Sequence, residues 1–452
     1  MSIQVSPTPA EIGSGQVQNR TAYLRQLLSQ RLDVPESLLA SDHGRLIQDL
    51  RQQAVAQVQE LAIPSGRDEE WRFTNLSPLL EIDFQAPSPE AIAPLDVDTW
   101  DIPEAATSRL VFVNGGYVES LSSRSGIPAT LWTGHLAAAL QDGAIAPKLQ
   151  QYLAKQPNAN EVFTALNTAG LSDAAVIVVP RNVTVDVPIH LLFVSTGESP
   201  TFVQPRVLIV AEANSRLTVV EDYRSTPNAV CLTNAVTEIW LEENAQVTHT
   251  RLQEEGTHAF HIGKTVVTQA RSSRYMTQAI SVGASLSRHN LDVFHTGEQV
   301  ETVLNGLTAI AQSQIADTHS AIIYAKPYCT SRQLHKCIVG DRAHAIFNGK
   351  VYVPQSAQLT DAGQLNRTLL LSPKARVDTK PQLEIVADNV KCTHGAAVGQ
   401  LQTDEVFYLR SRGINEDDAR RLLVYAFAYE ILDTIPLDSL KQRLSQSILA
   451  QT

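Results

Sequence analysis

The chain has 452 residues, of which 43% are hydrophobic and 18% charged, with a formal net charge of -11. That is enough apolar material for one large core or two to three domains, and the acidic balance argues against nucleic acid as a partner, since a dedicated binder is basic. No apolar run reaches the roughly 18 to 20 residues of a membrane span, and the N-terminal MSIQVSPTPAEIGSG lacks the basic and apolar regions of a secretion signal, so a cytoplasmic protein is expected, with the plastid stroma open if a transit peptide has been removed.

Thr21 to Arg31 carries Leu24, Leu27 and Leu28 at helical spacing, and Gly44 to Leu61 repeats the pattern with Leu46, Leu50, Val55 and Val58 until Pro64. Residues 85–105, rich in Pro, Ala and Asp, read as a linker. Leu110 to Val118, with Asn114-Gly115-Gly116 inside it, predicts a hairpin, and helical pattern resumes from about Thr133 to Ala169.

From about Asp173 the character changes. AAVIVVP, VPIHLLFVS, RVLIVAE, RLTVVEDY, AVTEIWLEE and AQVTHTRLQ follow one another, short and β-branched, for more than 200 residues. A degenerate turn recurs at Glu212-Ala213-Asn214-Ser215-Arg216-Leu217, Glu243-Asn244-Ala245-Gln246-Val247, Gly340-Asp341-Arg342-Ala343 and Pro373-Lys374-Ala375-Arg376. In two cases neighbouring copies lie roughly 30 residues apart, a period that suggests a solenoid whose stacked rungs bury one apolar interior. The pattern divides the chain into a mostly helical part over 1–170, a β-helix core over 171–400 and a helical part over 401–452. A β-sandwich is the competing architecture for the core.

The C-terminal part contains a helix capped by Asn415 and begun by Glu416, Asp417 and Asp418, where negative charge meets the positive end of the dipole. Ala419, Leu422, Leu423, Ala426, Phe427 and Ile431 form one apolar stripe; Val424, Tyr425, Ala428 and Tyr429 form most of a second. A helix apolar on two faces is deeply buried or belongs to an interface. Asp438 starts a last helix with Leu440, Leu444 and Ile448.

Few residues offer chemistry. Gly263-Lys264-Thr265 ends like a phosphate loop, but the preceding Gly256 is too distant and VVTQA continues as strand, so nucleotide binding is not expected. The twelve histidines are scattered, without an HExxH or a Cys pair, and read as solvent-facing or hydrogen-bonded strand residues. Cys231, Cys329, Cys337 and Cys392 make no disulfide framework; the first three read as buried thiols, though Cys329 and Cys337 lie near His335. The strongest pattern runs from Gln382 to Ile414. Leu383, Ile385 and Ala387 alternate with polar residues as in a strand, and Cys392 and His394, two apart, share one strand face. Thiolate and imidazole both bind iron, but two ligands cannot close a site, so further groups must come from elsewhere.

Three separated blocks carry a resemblance. They are Glu69-Glu70-Trp71-Arg72-Phe73-Thr74-Asn75-Leu76, the run from Phe163-Thr164-Ala165-Leu166-Asn167 through Ile177-Val178-Val179-Pro180 to Val187-Pro188-Ile189-His190, and the C-terminal Cys392-Thr393-His394-Gly395 block. Together they resemble SufD, within the SufB/SufD family of scaffold subunits of the SUF iron–sulfur cluster assembly complex. The resemblance implies a mainly β fold, a right-handed parallel β-helix core flanked by N-terminal and C-terminal helical regions. It implies a non-catalytic subunit that works with the SufB paralogue and with SufC, an ABC-type ATPase docked on the C-terminal helices through Tyr425, Phe427, Leu423 and Ile431. ATP hydrolysis then belongs to SufC. His394 falls on the family's histidine at the SufB–SufD interface. No cofactor is stably held; transient iron or a nascent cluster would meet His394, with Cys392 beside it and a thiolate supplied by the paralogue. In isolation, pairing of the chain with itself as a homodimer is compatible with the resemblance. Gly395 after His394, where SufB has glutamate, favours SufD over a SufB-type paralogue. Two readings of a different class compete with this one: a β-helix carbohydrate-active enzyme, disfavoured by dispersed acids, and a stand-alone solenoid adaptor.

Overall fold

A computed structural model describes residues 14–33, 44–87 and 95–450. Among the described residues, six helices precede or flank the first rungs: α1 Ser14–Ser29, α2 Gly44–Gln59, α3 Ser77–Leu80, α4 Leu136–Gln141, α5 Ala146–Tyr152 and α6 Val162–Ala169. Three follow the last rung: α7 Thr403–Ser411, α8 Glu416–Leu432 and α9 Asp438–Ala450. Between and among them run strands β1 Arg109–Val113, β2 Gly116–Tyr117, β3 Trp132–His135, β4 Ala175–Val179, β5 Ile189–Ser195, β6 Thr201–Val203, β7 Arg206–Ala211, β8 Arg216–Ser225, β9 Cys231–Leu241 and β10 Gln246–Gln253. They continue as β11 Phe260–Gln269, β12 Arg274–Ser281, β13 Leu286–His295, β14 Glu301–Ile310, β15 Ile315–Tyr324, β16 Thr330–Val339, β17 His344–Val353, β18 Asp361–Leu370, β19 Arg376–Ile385 and β20 Lys391–Gln400.

The strands alternate between two sheets. Sheet I has the order β2-β1-β5-β8-β10-β12-β14-β16-β18-β20, and sheet II the order β3-β4-β7-β9-β11-β13-β15-β17-β19, with β6 beside β9. The pairings of these strands are parallel except β1 with β2 and β3 with β4. Successive strands of one sheet stand in register roughly 30 residues apart, as Gln246 does with Arg216 and Arg274. This is a β-solenoid flanked by helical regions, as the resemblance implies. The expected hairpin is β1–β2. The expectation of helix from Thr133 fails at its start, because Thr133 and Gly134 lie in β3, antiparallel to Ile177 and Val176. The β-branched and aromatic residues there pack on the sheet rather than wind.

The recurring turns stack as the repeat predicts. Asn182, Asn214 and Asn244 take left-handed backbone conformations, and their amides form a ladder from Asn244 to Asn214 (2.9 Å) and from Asn214 to Asn182 (2.8 Å). Asparagine tolerates positive φ better than other side chains. The small residues Ser215 and Ala245 that follow Asn214 and Asn244 are buried, as is Ser273 after the left-handed Ser272.

The interior is apolar at its first rungs, where Phe112, Phe193 and Tyr223 stack at about 5 Å between ring centres. Further along it turns polar. Strand alternation puts Glu221 on the same side as Leu217 and Val219, inside the solenoid. Glu221 accepts bonds from Thr237 and meets His249 (3.2 Å); Arg251 reaches His261 Nε2, whose Nδ1 faces Glu255 (2.8 Å). Burial pulls the His261 imidazole down, and Glu255 only partly offsets this. Neutral His261 therefore accepts from Arg251 and donates to Glu255, bridging the buried guanidinium and the buried carboxylate.

Helices cover the outer faces. α1, α2 and α6 pack on sheet II, and α8 and α9 pack on Val220, Leu252, Ile280, Leu307 and Ile338 of sheet I. No described helix is long and apolar enough to cross a membrane.

Candidate functional site

β20 ends sheet I and β19 ends sheet II, so the solenoid stops with two strand edges side by side. Strands of earlier rungs such as β13 are almost wholly buried, whereas β19 is half-exposed along its length and β20 mostly exposed. Ile385, Val386 and Val398 lie open there, at 40%, 56% and 49% exposure. A bare pair of edges with apolar side chains is a template for another chain.

Cys392 and His394 both lie on β20, opposite Ala362 and Gln364 of β18. Ala362 belongs to the interior and Gln364 is buried, so the face they share is the one that looks inward on earlier rungs. Cys392 is half-buried against that interior. Burial pushes its thiol up, more than the Ala362 backbone bond pulls it down, so Cys392 stays a protonated thiol near neutrality. His394 is exposed. It continues the inward column of Gln333 and Gln364, in which Gln364 donates to Gln333 (2.9 Å) and Gln333 donates to Ser320 of sheet II (2.8 Å). The Gln364 carbonyl oxygen, buried beside this mouth, has no partner among the described residues.

Gly395 faces the other way. A Cβ there would stand 3.2 Å from Leu365 Cδ1, so the glycine accommodates a side chain of the outer face. An open groove of about 510 Å³ at this end of the solenoid is lined by Arg332, Asp361, Leu365 and Gly395 together with Gln333, Gln364 and His394. Among the described residues no group of three or more His, Cys, Asp or Glu side chains is placed to hold a metal ion. All four cysteines are free. Burial pushes Cys337 up to about 12 and raises Cys231 and Cys329 as well, as inert core thiols behave.

The C-terminal helices form a second surface. Asn415 caps α8 by accepting from the Asp418 amide (2.8 Å), as its position predicts. The two predicted stripes are redistributed. Val424, Ala428, Ile431 and Leu432 face the solenoid and Ala419 is also buried, while Leu422 and Tyr429 are exposed. Ile431 is fully buried in that core and so presents nothing to a partner. Phe427 is half-buried with the Lys336 ammonium 4.4 Å from its ring centre, and Leu423 and Tyr425 are intermediate. Sequence reasoning misses α7, whose Phe407 and Tyr408 are 68% and 57% exposed. It lacks an apolar stripe; the available signal is charge, with Asp404 and Glu405 in its first turn and Arg410 in its last.

Lys264, of the run that ends like a phosphate loop, lies mid-strand in β11 and pairs with Asp292 (2.6 Å) and Glu161 (3.3 Å). His249, His261, His289 and His295 are buried, hydrogen-bonded strand histidines.

Comparison with known proteins fits this architecture end to end. Residues 193–427 match the family model described as SUF system FeS cluster assembly, SufBD core domain, and residues 25–191 match the SufBD protein N-terminal region. This chain belongs to the SufBD family. It is 45% identical over 430 residues to an iron–sulfur cluster assembly SufBD family protein of Synechocystis, covering 92% of this chain and 94% of the relative. It is 33% identical over 396 residues to the iron–sulfur cluster assembly protein SufD of Escherichia coli, covering 87% and 90%. It is likewise 33% identical over 411 residues to the chloroplastic protein ABCI7 of Arabidopsis thaliana, covering 89% and 85%.

In this SufD-like chain the two earlier blocks of the resemblance have structural work in common. Trp71 lies 5.4 Å from Phe163, ring centre to ring centre, and carries the Arg288 guanidinium on its face at 3.9 Å. Asn167 donates to the carbonyls of Pro205 (2.9 Å) and Asn234 (2.8 Å) and accepts from Arg206 (3.0 Å), which pins α6 to the rungs of sheet II. These segments therefore fasten the N-terminal region to the solenoid.

Proposed function

We propose that this chain is a scaffold subunit in iron–sulfur cluster assembly that joins a SufB-type paralogue through the open end of its solenoid. The bare edges of β19 and β20, with Ile385, Val386 and Val398 exposed, are the observation that carries this reading. Two parallel edges accept further parallel strands with all backbone groups satisfied, and the apolar side chains supply the contact area. His394 then stands at the junction. Its imidazole supplies one nitrogen ligand to iron passing through as cargo, and thiolates of the paralogue supply the rest. One exposed nitrogen holds weakly, which suits a cluster that must be handed on.

An ABC-type ATPase docks on the exposed face of α7 and α8, supported by Phe407, Tyr408, Leu422 and Tyr429. Tyr425 borders that face and Phe427 and Leu423 lie at its edge. The chain itself performs no hydrolysis. Co-expression with both partners and measurement of the complex mass tests the assembly. The reading is lost if Val398→Lys and Ile385→Lys together leave paralogue binding unchanged. Without a paralogue, a second copy of the chain competes for the same edges, and a homodimer sensitive to the same substitutions is expected.

A further inference from the structure

A groove of about 890 Å³ lies on the outer face of sheet II, between residues 60–71, residues 158–162 and strands β11 to β19. Its size is that of a small-molecule site. Two of its side chains are more than nine-tenths buried yet keep a carbonyl oxygen without a donor among the described residues: Asn290 and Asn348. The orientation of Asn290 is fixed, because its Nδ2 donates to Glu161 Oε1 (3.1 Å), so its oxygen turns away from that carboxylate. A buried acceptor left bare costs about 1 to 3 kcal/mol, and two such acceptors on one groove call for a donor.

The charge around them has a sign. Glu161 and Asp292 share the single ammonium of Lys264, leaving one negative charge in excess beside Asn290. The other cationic groups of the groove are engaged: Arg288 with Asp317, Lys350 with Glu384 (2.8 Å), and His319 with Glu70 (3.0 Å) and Asp317 (2.9 Å). Asn290, His319 and Asn348 stand opposite one another on β13, β15 and β17. The two asparagines are therefore roughly 10 Å apart, two strand spacings. Leu61, Ile63 and Pro64 line the facing wall.

We propose that this groove binds a protonated amine or guanidinium carried on a methylene chain, its charged head at Glu161, Asp292 and the Asn290 oxygen, its stem against Leu61, Ile63 and Pro64, and a second donor at Asn348. A linear polyamine and an extended basic side chain of a peptide share this chemistry. The two acceptors select donors, the excess negative charge selects a cation, and their separation selects length.

Calorimetric titration of the full chain with spermidine, N-acetylated spermidine and an arginine-containing peptide tests the site at physiological salt. Saturable 1:1 binding of spermidine or of the peptide is expected, whichever binds naming the source, with the acetylated amine weaker. Asn290→Leu and Asn348→Leu should each weaken it about tenfold or more, the loss typical of a hydrogen bond to a charged group. Circular dichroism checks folding, and if Asn290→Leu does not fold, Asn348→Leu alone carries the test. Absence of saturable binding by either probe overturns the proposal, as does binding that both asparagine variants leave unchanged.

Discussion

His394 is exposed on the terminal strand and carries little of the packing energy, so its substitution separates chemistry from folding. His394→Ala should leave the thermal midpoint within about a degree, as surface changes away from special features do, while maturation of an iron–sulfur reporter enzyme falls strongly when this variant is the only copy. Cys392→Ala should have the smaller effect on maturation, because its raised, half-buried thiol is a packing group. Normal maturation with His394→Ala would remove the imidazole from the mechanism. Interior glycines behave oppositely. A Cβ on Gly306 would collide with the His335 ring, and one on Gly349 with the Gln364 amide. Gly306→Ala should therefore cost about 1 to 3 kcal/mol of overpacking, read as a lowered denaturant midpoint. The Cys392–His394 pairing was legible in the sequence because a two-residue period needs no tertiary knowledge. The His335–Gly306 fit was not, since the partners are neighbours only once the register is known.

At the scale of elements, the segment around Trp71 is held to sheet II by a charge cluster. His319 lies between Glu70 (3.0 Å) and Asp317 (2.9 Å), Asp317 also meets Arg288 and Thr74, and Lys380 reaches Glu69 (2.6 Å). Burial pulls His319 down, but the Asp317 charge and the bonds to both carboxylates outweigh it, and the imidazole ends above its ordinary value of 6.5. Its contribution is complete below 6.5 and is lost as pH rises through the raised value. The His319 bond holds Glu70 below its usual range; burial raises Asp317, but Arg288 and His319 overcome that and bring it to about 2. These carboxylates contribute above their ordinary range and lose their effect in acid. Protection factors of amides in residues 69–75, that is exchange corrected for its intrinsic base catalysis, should thus be greatest between the carboxylate and imidazole ranges and fall above neutrality, and His319→Gln should flatten that alkaline fall. An equal fall in the variant would remove His319 as the cause. On the C-terminal side, Ile431→Ala should destabilise the fold by about 2 to 5 kcal/mol, the cost of emptying a core position. Phe407→Ser with Tyr408→Ser should release the ATPase at unchanged stability, read by co-elution on size exclusion. Sequence periodicity located α8 but misassigned its faces, because both of its stripes are apolar enough to pack and only the solenoid surface decides between them.

For the whole molecule, the solenoid was legible through its turn repeat and the abrupt change to short β-branched runs near Asp173. Its polar interior was not, because Glu221, Arg251 and His261 sit in strands whose alternation alone marks them as inward, against every composition rule. If the open end is the joining surface, amides of β19 and β20 should exchange quickly in the isolated chain and become protected when a paralogue is added, with the first rungs unchanged. Protection confined to the N-terminal region would place the contact elsewhere.

The in-register stacking has a consequence for how such a chain can change over time. Backbone ladders are indifferent to which rung lies next, so duplication or loss of about 30 residues would leave a continuous sheet. The side chains are not indifferent. His335 needs a glycine at its neighbour, Asn244 needs Asn214, and Gln364 needs both Gln333 and the missing Cβ of Gly349. Each rung thus carries an address readable only by the adjoining one, and the number of turns is locked by these mismatch penalties rather than by the hydrogen bonds that build the sheets.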